Sequence, residues 1–235
     1  MVCCRNCYRK DVGEMSKVVA FVPVKLNNER LPGKNTKAFD GGKPLIQYIL
    51  NTLKQTHGID EIYVYCSDEA ITSYLPEGVR YRKRSSQLDR SNTLILEVLE
   101  AFAKEVEADT YVLAHATAPF LSSQTIEAGI QAVTSKEYDS ALTVTPCHDF
   151  LWMNGKPFNY NATEIPRTQD LKEMYIETTG LYVFGRDLLL KQHRRTGEHP
   201  YLISVSRGEA IDINEPIDFV FANAWYQHEI QKTTV

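Results

Sequence analysis

The stretch Val18–Lys37, VVAFVPVKLNNERLPGKNTK, carries the reading on which the fold class turns. Its first part, Val18 to Val24, is apolar almost without a break, as a strand covered on both faces requires. From Lys25 onward it is polar, with turn residues at Pro32 and Gly33. A doubly covered strand that runs straight into a cationic loop belongs inside a sheet, with the loop at the sheet's edge.

Outward from this stretch, strand and helix patterns alternate. Pro44 opens a helix carrying Leu45, Ile46, Ile49, Leu50 and Leu53 on one side. Ile59–Cys66 reads as a strand, and Ser67 and Asp68 can cap the helix after it. A helix over Ser91–Val106, a strand at Thr110–Ala114, a helix at Ser122–Thr134 and a strand at Ser140–Val144 follow. The rhythm resumes later with a strand at Gly180–Phe184, a helix from Arg186, a strand at Tyr201–Val205 and a helix from Glu215. This pattern predicts an α/β protein with a mostly parallel sheet flanked by helices on both sides. Between about residues 146 and 175 periodicity is lost, while Trp152, Pro157, Tyr160 and Pro166 accumulate. That excursion is too long for a plain connector and predicts a cover for a site or a contact with a second subunit.

Length and composition narrow the class. The 235 residues suit one domain, over 17–235, and 43% hydrophobic with 24% charged residues is ordinary for a globular chain. A net charge of −4 without a basic stripe argues against a nucleic-acid partner. No apolar run reaches the ~20 residues of a membrane span, and no secretory signal is present, so a cytoplasmic location is expected. Cys3, Cys4 and Cys7 crowd the first residues, but a zinc site lacks a fourth ligand there, so residues 1–16 are expected to be a disordered leader. The short cluster Arg80, Arg82, Lys83 and Arg84 reads equally as a solvated strand end or an anion site.

Ligands of open parallel sheets bind beyond the carboxyl ends of the strands. The polar residues there are Lys25–Lys37, Ser67-Asp68, His115–Pro119 and Asp212–Asn214. The first loop has neither the P-loop spacing nor GxGxxG. Its cations around glycine and asparagine mark it as an anion-binding loop.

Phe21–Leu45, FVPVKLNNERLPGKNTKAFDGGKPL, resembles the signature loop of the acylneuraminate and 3-deoxy-manno-octulosonate cytidylyltransferases. Further resemblances follow in order: Lys83–Leu88 to the family's nucleotide segment, His115–Pro119 to Gln-Pro-Thr-Ser-Pro, and Ile165–Asp170 to its arginine-glutamine segment. Glu177–Gly180 is similar to Glu-Asn-Gly, and Ile211–Asn214 to the metal-binding Asp-x-Asp. The resemblance implies a Rossmann-like fold, with the excursion reaching across a homodimer interface. It also implies transfer of CMP from CTP to the anomeric hydroxyl of a nonulosonic, 2-keto sugar acid, with magnesium as cofactor and pyrophosphate released. By the same resemblance Lys25, Asn27, Arg30, Lys34, Asn35 and Arg84 would bind the nucleotide, with Lys25, Arg30, Lys34 and Asp212 serving catalysis. His115, Arg167, Gln169 and Glu177 would contact the sugar, and Asp212 and Asn214 would hold the metal.

Some residues depart from the pattern. Glu29 stands where the acylneuraminate branch has lysine, and an acid there either pairs with Arg30 or faces the triphosphate. Asn214 replaces an aspartate and can serve as a metal ligand, as a helix cap, or as both. His115 replaces a glutamine and is either a sugar contact or a packed histidine. Two other readings therefore stand beside the first: a 3-deoxy-manno-octulosonate cytidylyltransferase, and a nucleotide- or sugar-binding homologue weakened in catalysis.

Overall fold

The computed structural model describes residues 16–234. The expected leader, apart from Ser16, and Cys3, Cys4 and Cys7 lie outside the described residues. The chain alternates largely as its sequence predicts, with β3 a strand the pattern does not mark: β1 (Val18–Val24), α1 (Leu45–Gln55), β2 (Glu61–Cys66), β3 (Val79–Lys83), α2 (Ile95–Glu105), β4 (Thr110–Ala114), α3 (Ser123–Thr134) and β5 (Ser140–Pro146). A small hairpin, β6 (Trp152–Met153) and β7 (Lys156–Pro157), precedes β8 (Tyr175–Gly185), α4 (Arg186–Gln192), β9 (Pro200–Ser204) and α5 (Pro216–Thr234).

Seven strands form one sheet in the order β3-β2-β1-β4-β8-β5-β9. β3, β2, β1 and β4 pair in parallel, as do β5 and β9, whereas β8 is antiparallel to both β4 and β5. The apolar run of β1 is explained by its two neighbours and two faces. Val18, Ala20, Val22 and Val24 join a core cluster with α1 and α3 residues, among them Ile49, Leu50, Ile126 and Ile130. Val19 and Phe21 face the other way, toward Val98, Leu99 and Phe102 of α2 and Leu188 and Leu189 of α4. Phe21 stacks on Phe102 with ring centroids 4.1 Å apart. Helices cover both faces, as a sheet of this composition demands.

Strand order decides where a ligand can sit. After β1 the chain moves outward to β2 and β3, then returns to place β4 on β1's other side. The crossovers part at the carboxyl ends of β1 and β4, and that parting opens a crevice.

Three details differ from the sequence reading. β8 begins at Tyr175, earlier than Gly180, because Tyr175–Glu177 pair with Val144–Pro146 beyond a register break between Leu142 and Val144. It is antiparallel because the excursion leaves and re-enters at the same end of the sheet, with no crossover helix to reverse it. α2 starts at Ile95, not Ser91: the Glu97 carboxylate accepts the Leu94 N–H at 2.9 Å and fixes the start there. After Asp68 the chain makes a 3-10 turn, Glu69–Tyr74, with Asp68 accepting the Ala70 N–H at 2.9 Å. The excursion carries exposed Trp152, Phe158 and Ile165.

Gly180 marks the tightest point beside the crevice. A Cβ there would lie 2.9 Å from Ala118 Cβ and 3.3 Å from Leu121 Cδ1, both in the buried core. Gly180→Ala should therefore cost about 1–3 kcal/mol, as overpacking does, read as a lowered urea midpoint with an unchanged slope.

Candidate active site

The loop after β1 is shaped before it meets any ligand. Gly33 adopts φ 66°, a conformation that glycine enters freely, and its carbonyl accepts the N–H groups of Thr36 and Lys37. The resulting 3-10 turn, Lys34–Thr36, buries Asn35, whose Nδ2 donates to the Lys25 carbonyl at 3.0 Å and to Asn28 Oδ1 at 3.4 Å. The loop closes on itself with Lys25 and Lys34 facing one space.

Two adjoining cavities occupy that space. One, about 290 Å³, is lined by Lys25, Asn28, Glu29, Arg30, Leu31, Lys34 and Ser91. The other, about 230 Å³, takes in Lys25, Asn28, Lys34, Asn35, Arg84 and His115. A larger cavity, about 530 Å³, lies at the opposite end of the strands around Asp109, Tyr138 and His199, away from these residues. The structure thus gathers Lys25, Arg30, Lys34, Asn35, Arg84 and His115 in one crevice. Asn27 is exposed and lines neither cavity; its neighbour Asn28 turns inward in its place.

The basic cluster divides. Arg80 and Arg82 pair on the surface with Glu61 and Glu105. Arg84 is buried and donates through Nε to Asp89 Oδ1 at 3.0 Å, while Ser67 donates to the other Asp89 oxygen. That relay aims a guanidinium into the smaller cavity and prevents it from standing as an uncompensated buried charge.

Asp212 sits across the crevice. Lys34 Nζ donates to the Ile213 carbonyl at 3.0 Å, and burial lowers the ammonium's pKa against the opposing pull of Asp212. Arg30 does not pair with Glu29. Its Nη1 reaches Glu215 at 3.3 Å and its Nη2 donates to Asn214 Oδ1 at 3.1 Å. Asn214 Nδ2 in turn donates to Asp212 Oδ2 at 2.6 Å. The Asn214 side chain is therefore a bridge between Arg30 and Asp212, and it does not cap α5. Asp218 does so, accepting the N–H groups of Asn214 at 2.9 Å and Glu215 at 2.7 Å.

The expected magnesium can be tested against these donors. Among the described residues no group of three or more His, Cys, Asp or Glu is placed to hold a metal. Magnesium commonly takes one or two carboxylates and fills its remaining sites with waters and substrate phosphates. Asp212 accepts hydrogen bonds on Oδ2 only, from Asn214 and from Thr179 Oγ1 at 3.2 Å. One carboxylate with an open oxygen beside a phosphate-sized cationic loop fits that requirement. Asn214 Oδ1 keeps a second lone pair beside the one that meets Arg30 and could add a neutral oxygen.

A second cluster adjoins His115. Tyr182 donates to Glu177, and Arg195 Nη2 donates to the Tyr182 hydroxyl at 2.9 Å and pairs with Glu177 at 3.3 Å. The guanidinium lies 3.7 Å over the Tyr182 ring. Burial, then the Glu177 acceptor, push the phenol's pKa up, with Arg195 opposing. Tyr182 and Arg195 escape a reading of sequence motifs; Arg195 in particular lies in a loop without a distinguishing pattern. Arg167 and Gln169 are not brought to the crevice: both are exposed, and Arg167 pairs with Asp170 at 2.6 Å.

Comparison with known proteins gives the family and the fold. A family model described as cytidylyltransferase matches residues 19–210. The chain is 24% identical to N-acylneuraminate cytidylyltransferase A of Danio rerio over 87% of its own length and 50% of that protein's. It thus spans about half the length of such vertebrate relatives. It is 26% identical to CMP-N,N'-diacetyllegionaminic acid synthase of Legionella pneumophila, covering 86% of this chain and 93% of that one. It is 27% identical to 3-deoxy-manno-octulosonate cytidylyltransferase of Escherichia coli, over 74% and 75%. Among solved structures, a CMP:2-keto-3-deoxy-manno-octonic acid synthetase complexed with CTP superposes with a TM-score of 0.66 at 18% identity, covering 91% of this chain and 100% of that one. At that identity the likeness is one of fold.

The Arg84–Asp89 pair gives the site's stability test. Asp89→Ala would leave Arg84 buried without its partner and should cost about 3 kcal/mol, measured by chemical denaturation. Arg84→Met with Asp89→Asn should recover most of that loss while abolishing nucleotide binding.

Proposed function

Because the chain belongs to the cytidylyltransferase family, we propose that it transfers CMP from CTP to the anomeric hydroxyl of a nonulosonic, 2-keto sugar acid, releasing pyrophosphate. The observation that carries this reading is the convergence of Lys25, Arg30, Lys34, Asn35 and Arg84 on adjoining cavities that face Asp212. Such chemistry requires the charge on the α-phosphate and the leaving group to be neutralised, and the nucleophile to be held in line. Lys25 and Lys34 supply fixed positive charge where the triphosphate would lie. Arg30 orients the Asn214–Asp212 pair. Asp212 would hold magnesium, which when bound neutralises charge on the phosphate oxygens. Arg84 and Asn35 would fix the nucleoside end.

Glu177, Tyr182 and Arg195 form a polar wall next to His115, suited to the hydroxyls and carboxylate of a sugar acid. Relatives named for nonulosonic acids and for 3-deoxy-manno-octulosonate match at similar identity. An eight-carbon acceptor is therefore the second reading, and it uses the same site. Glu29, exposed on the cavity rim and without a hydrogen bond or ion pair among the described residues, is the residue that would weaken triphosphate binding. No helix among the described residues is long and apolar enough to cross a membrane, and we place the reaction in the cytoplasm.

The excursion, with Trp152 63%, Phe158 52% and Ile165 66% exposed, presents an apolar area suited to a second copy of the chain. In a homodimer Arg167 and Gln169 would serve across the subunit boundary. Sedimentation at micromolar protein with CTP and magnesium should give a dimer; a monomer would remove this part of the reading.

The activity itself is tested by pyrophosphate release with four nucleotides crossed against several 2-keto sugar acids. CTP should support turnover far above UTP, ATP or GTP, and equal turnover with a purine nucleotide would sink the assignment. Asp212→Asn should lower turnover by about 10²-fold or more, the scale of losing one principal electrostatic group. A stable variant with unchanged turnover at limiting magnesium would show that Asp212 does not take part.

A further inference from the structure

His115 stands at the end of β4, its backbone N–H bonded to the Gly180 carbonyl at 3.1 Å. The residue as a whole keeps some exposure, yet its Nε2 is sealed from solvent and has no hydrogen-bond partner among the described residues. Burial, then the charge of Arg195, push the ring's pKa down to about 4, with Asp212 and the Thr179 backbone opposing, so the imidazole is neutral. With Nε2 unpartnered, the hydrogen is assigned to Nδ1. A neutral imidazole has one N–H and one lone pair, so Nε2 is a bare acceptor awaiting a donor.

This arrangement is costly. A buried acceptor left unmatched is unfavourable, and packing alone would be served better by an apolar side chain. Thr179, beside the ring, sits at φ 59°, a left-handed conformation that a β-branched residue rarely adopts. Its hydroxyl also donates to Asp212. Strain and an orphaned acceptor at one spot point to a ligand rather than to the core.

Position says which ligand group is missing. His115 lines the cavity that holds Lys25, Lys34 and Arg84, and its ring lies 6.5 Å from Tyr182 in the wall on the other side. It marks the border between the phosphate cradle and the acceptor wall, where the attacking hydroxyl must lie. We propose that His115 is the catalytic base of the transfer, with Nε2 accepting the hydrogen of the acceptor's anomeric hydroxyl. This rests on the transferase reading above. As the hydroxyl oxygen bonds to the α-phosphorus, its proton passes to Nε2. The bond from the α-phosphorus to the bridging oxygen breaks, its electron pair leaving on pyrophosphate. Burial first, then the charge of Arg195, hold the ring's pKa down to about 4 against the opposing pull of Asp212, so the imidazolium gives its proton up to water admitted as the products leave.

The test uses His115→Leu and His115→Gln in the full-length protein. Leu removes the orphaned acceptor, so this variant should melt at or above the wild-type temperature and bind CTP within about twofold. Its turnover should fall by about 10²- to 10⁴-fold, the range for losing a general base. Gln keeps an acceptor but cannot take the proton, and should also lose turnover with CTP affinity retained. Wild-type protein that transfers to no sugar acid would overturn the transferase reading and this inference with it. Wild-type turnover matched by the Leu variant would overturn the inference alone, as would a loss of CTP affinity as large as the loss of turnover. If the Leu variant does not fold, ¹⁵N NMR of the wild-type ring decides. Protonation at Nδ1 and a bare Nε2 that shifts on adding a sugar acid with an unreactive CTP analogue are expected. The opposite tautomer, or no shift, would overturn it.

Discussion

The first loop is clamped onto the segment before α5 by contacts between residues some 180 positions apart, and the rest of the site depends on that clamp. Lys34 Nζ binds the Ile213 carbonyl at 3.0 Å, and Arg30 reaches Asn214 and Glu215. From the other side, the Ile213 N–H donates to the Thr117 carbonyl at 2.9 Å. Beneath them Leu31, Phe39, Leu45, Ile213, Phe219 and Ala222 form a small apolar core of their own. Without that core the loop would be a solvated string of cations. With it, positive charge is fixed opposite the carboxylate of Asp212 before any substrate arrives. Preorganised charge of this kind need not be rearranged during the reaction, which makes it effective in catalysis.

Polar groups elsewhere in the molecule are matched with economy. Asp139 accepts three hydrogen bonds, from Ser140 and from the N–H groups of Glu198 and His199, and holds the loop before β9. Buried Tyr111 is met by Arg186 and by the Val106 carbonyl. Against that background the unmatched Nε2 of His115 and the left-handed Thr179 stand out, at neighbouring places in the crevice. A fold that satisfies its polar groups in general but not at one crevice has kept that crevice for something else.

The sheet was legible in the sequence because its strands are covered on both faces. Continuous apolar runs such as Val18–Val24 and the helical stripe of Leu45–Leu53 leave few alternatives. The reversed strand β8 was not legible, since its residues read alike in either direction; only the course of the excursion sets its sense. In the site, the first loop and His115 are legible because each follows an apolar strand run, while the choice of Lys25, Arg30, Lys34, Asn35 and Arg84 comes from the family resemblance. Asn27 was chosen over Asn28 because residue type does not reveal which of two neighbours a loop turns inward. The partners of Arg30 and the place of Arg195 depend on contacts far apart in the chain, which no local pattern encodes. Asn214 reads as a ligand or a cap, and the bridge it makes follows from where Arg30 and Asp212 meet.

Fold alone does not decide chemistry, for sheets of this kind carry many reactions; the account stands on the crevice and on where a phosphorus atom would lie in it. CTP labelled at its α-phosphorus, incubated with the protein, magnesium and a mixture of 2-keto sugar acids, follows that atom directly. The account predicts that the label moves into a CMP–sugar conjugate while the pyrophosphate released carries none. Label recovered in pyrophosphate, or only in free CMP with no conjugate formed, would contradict it.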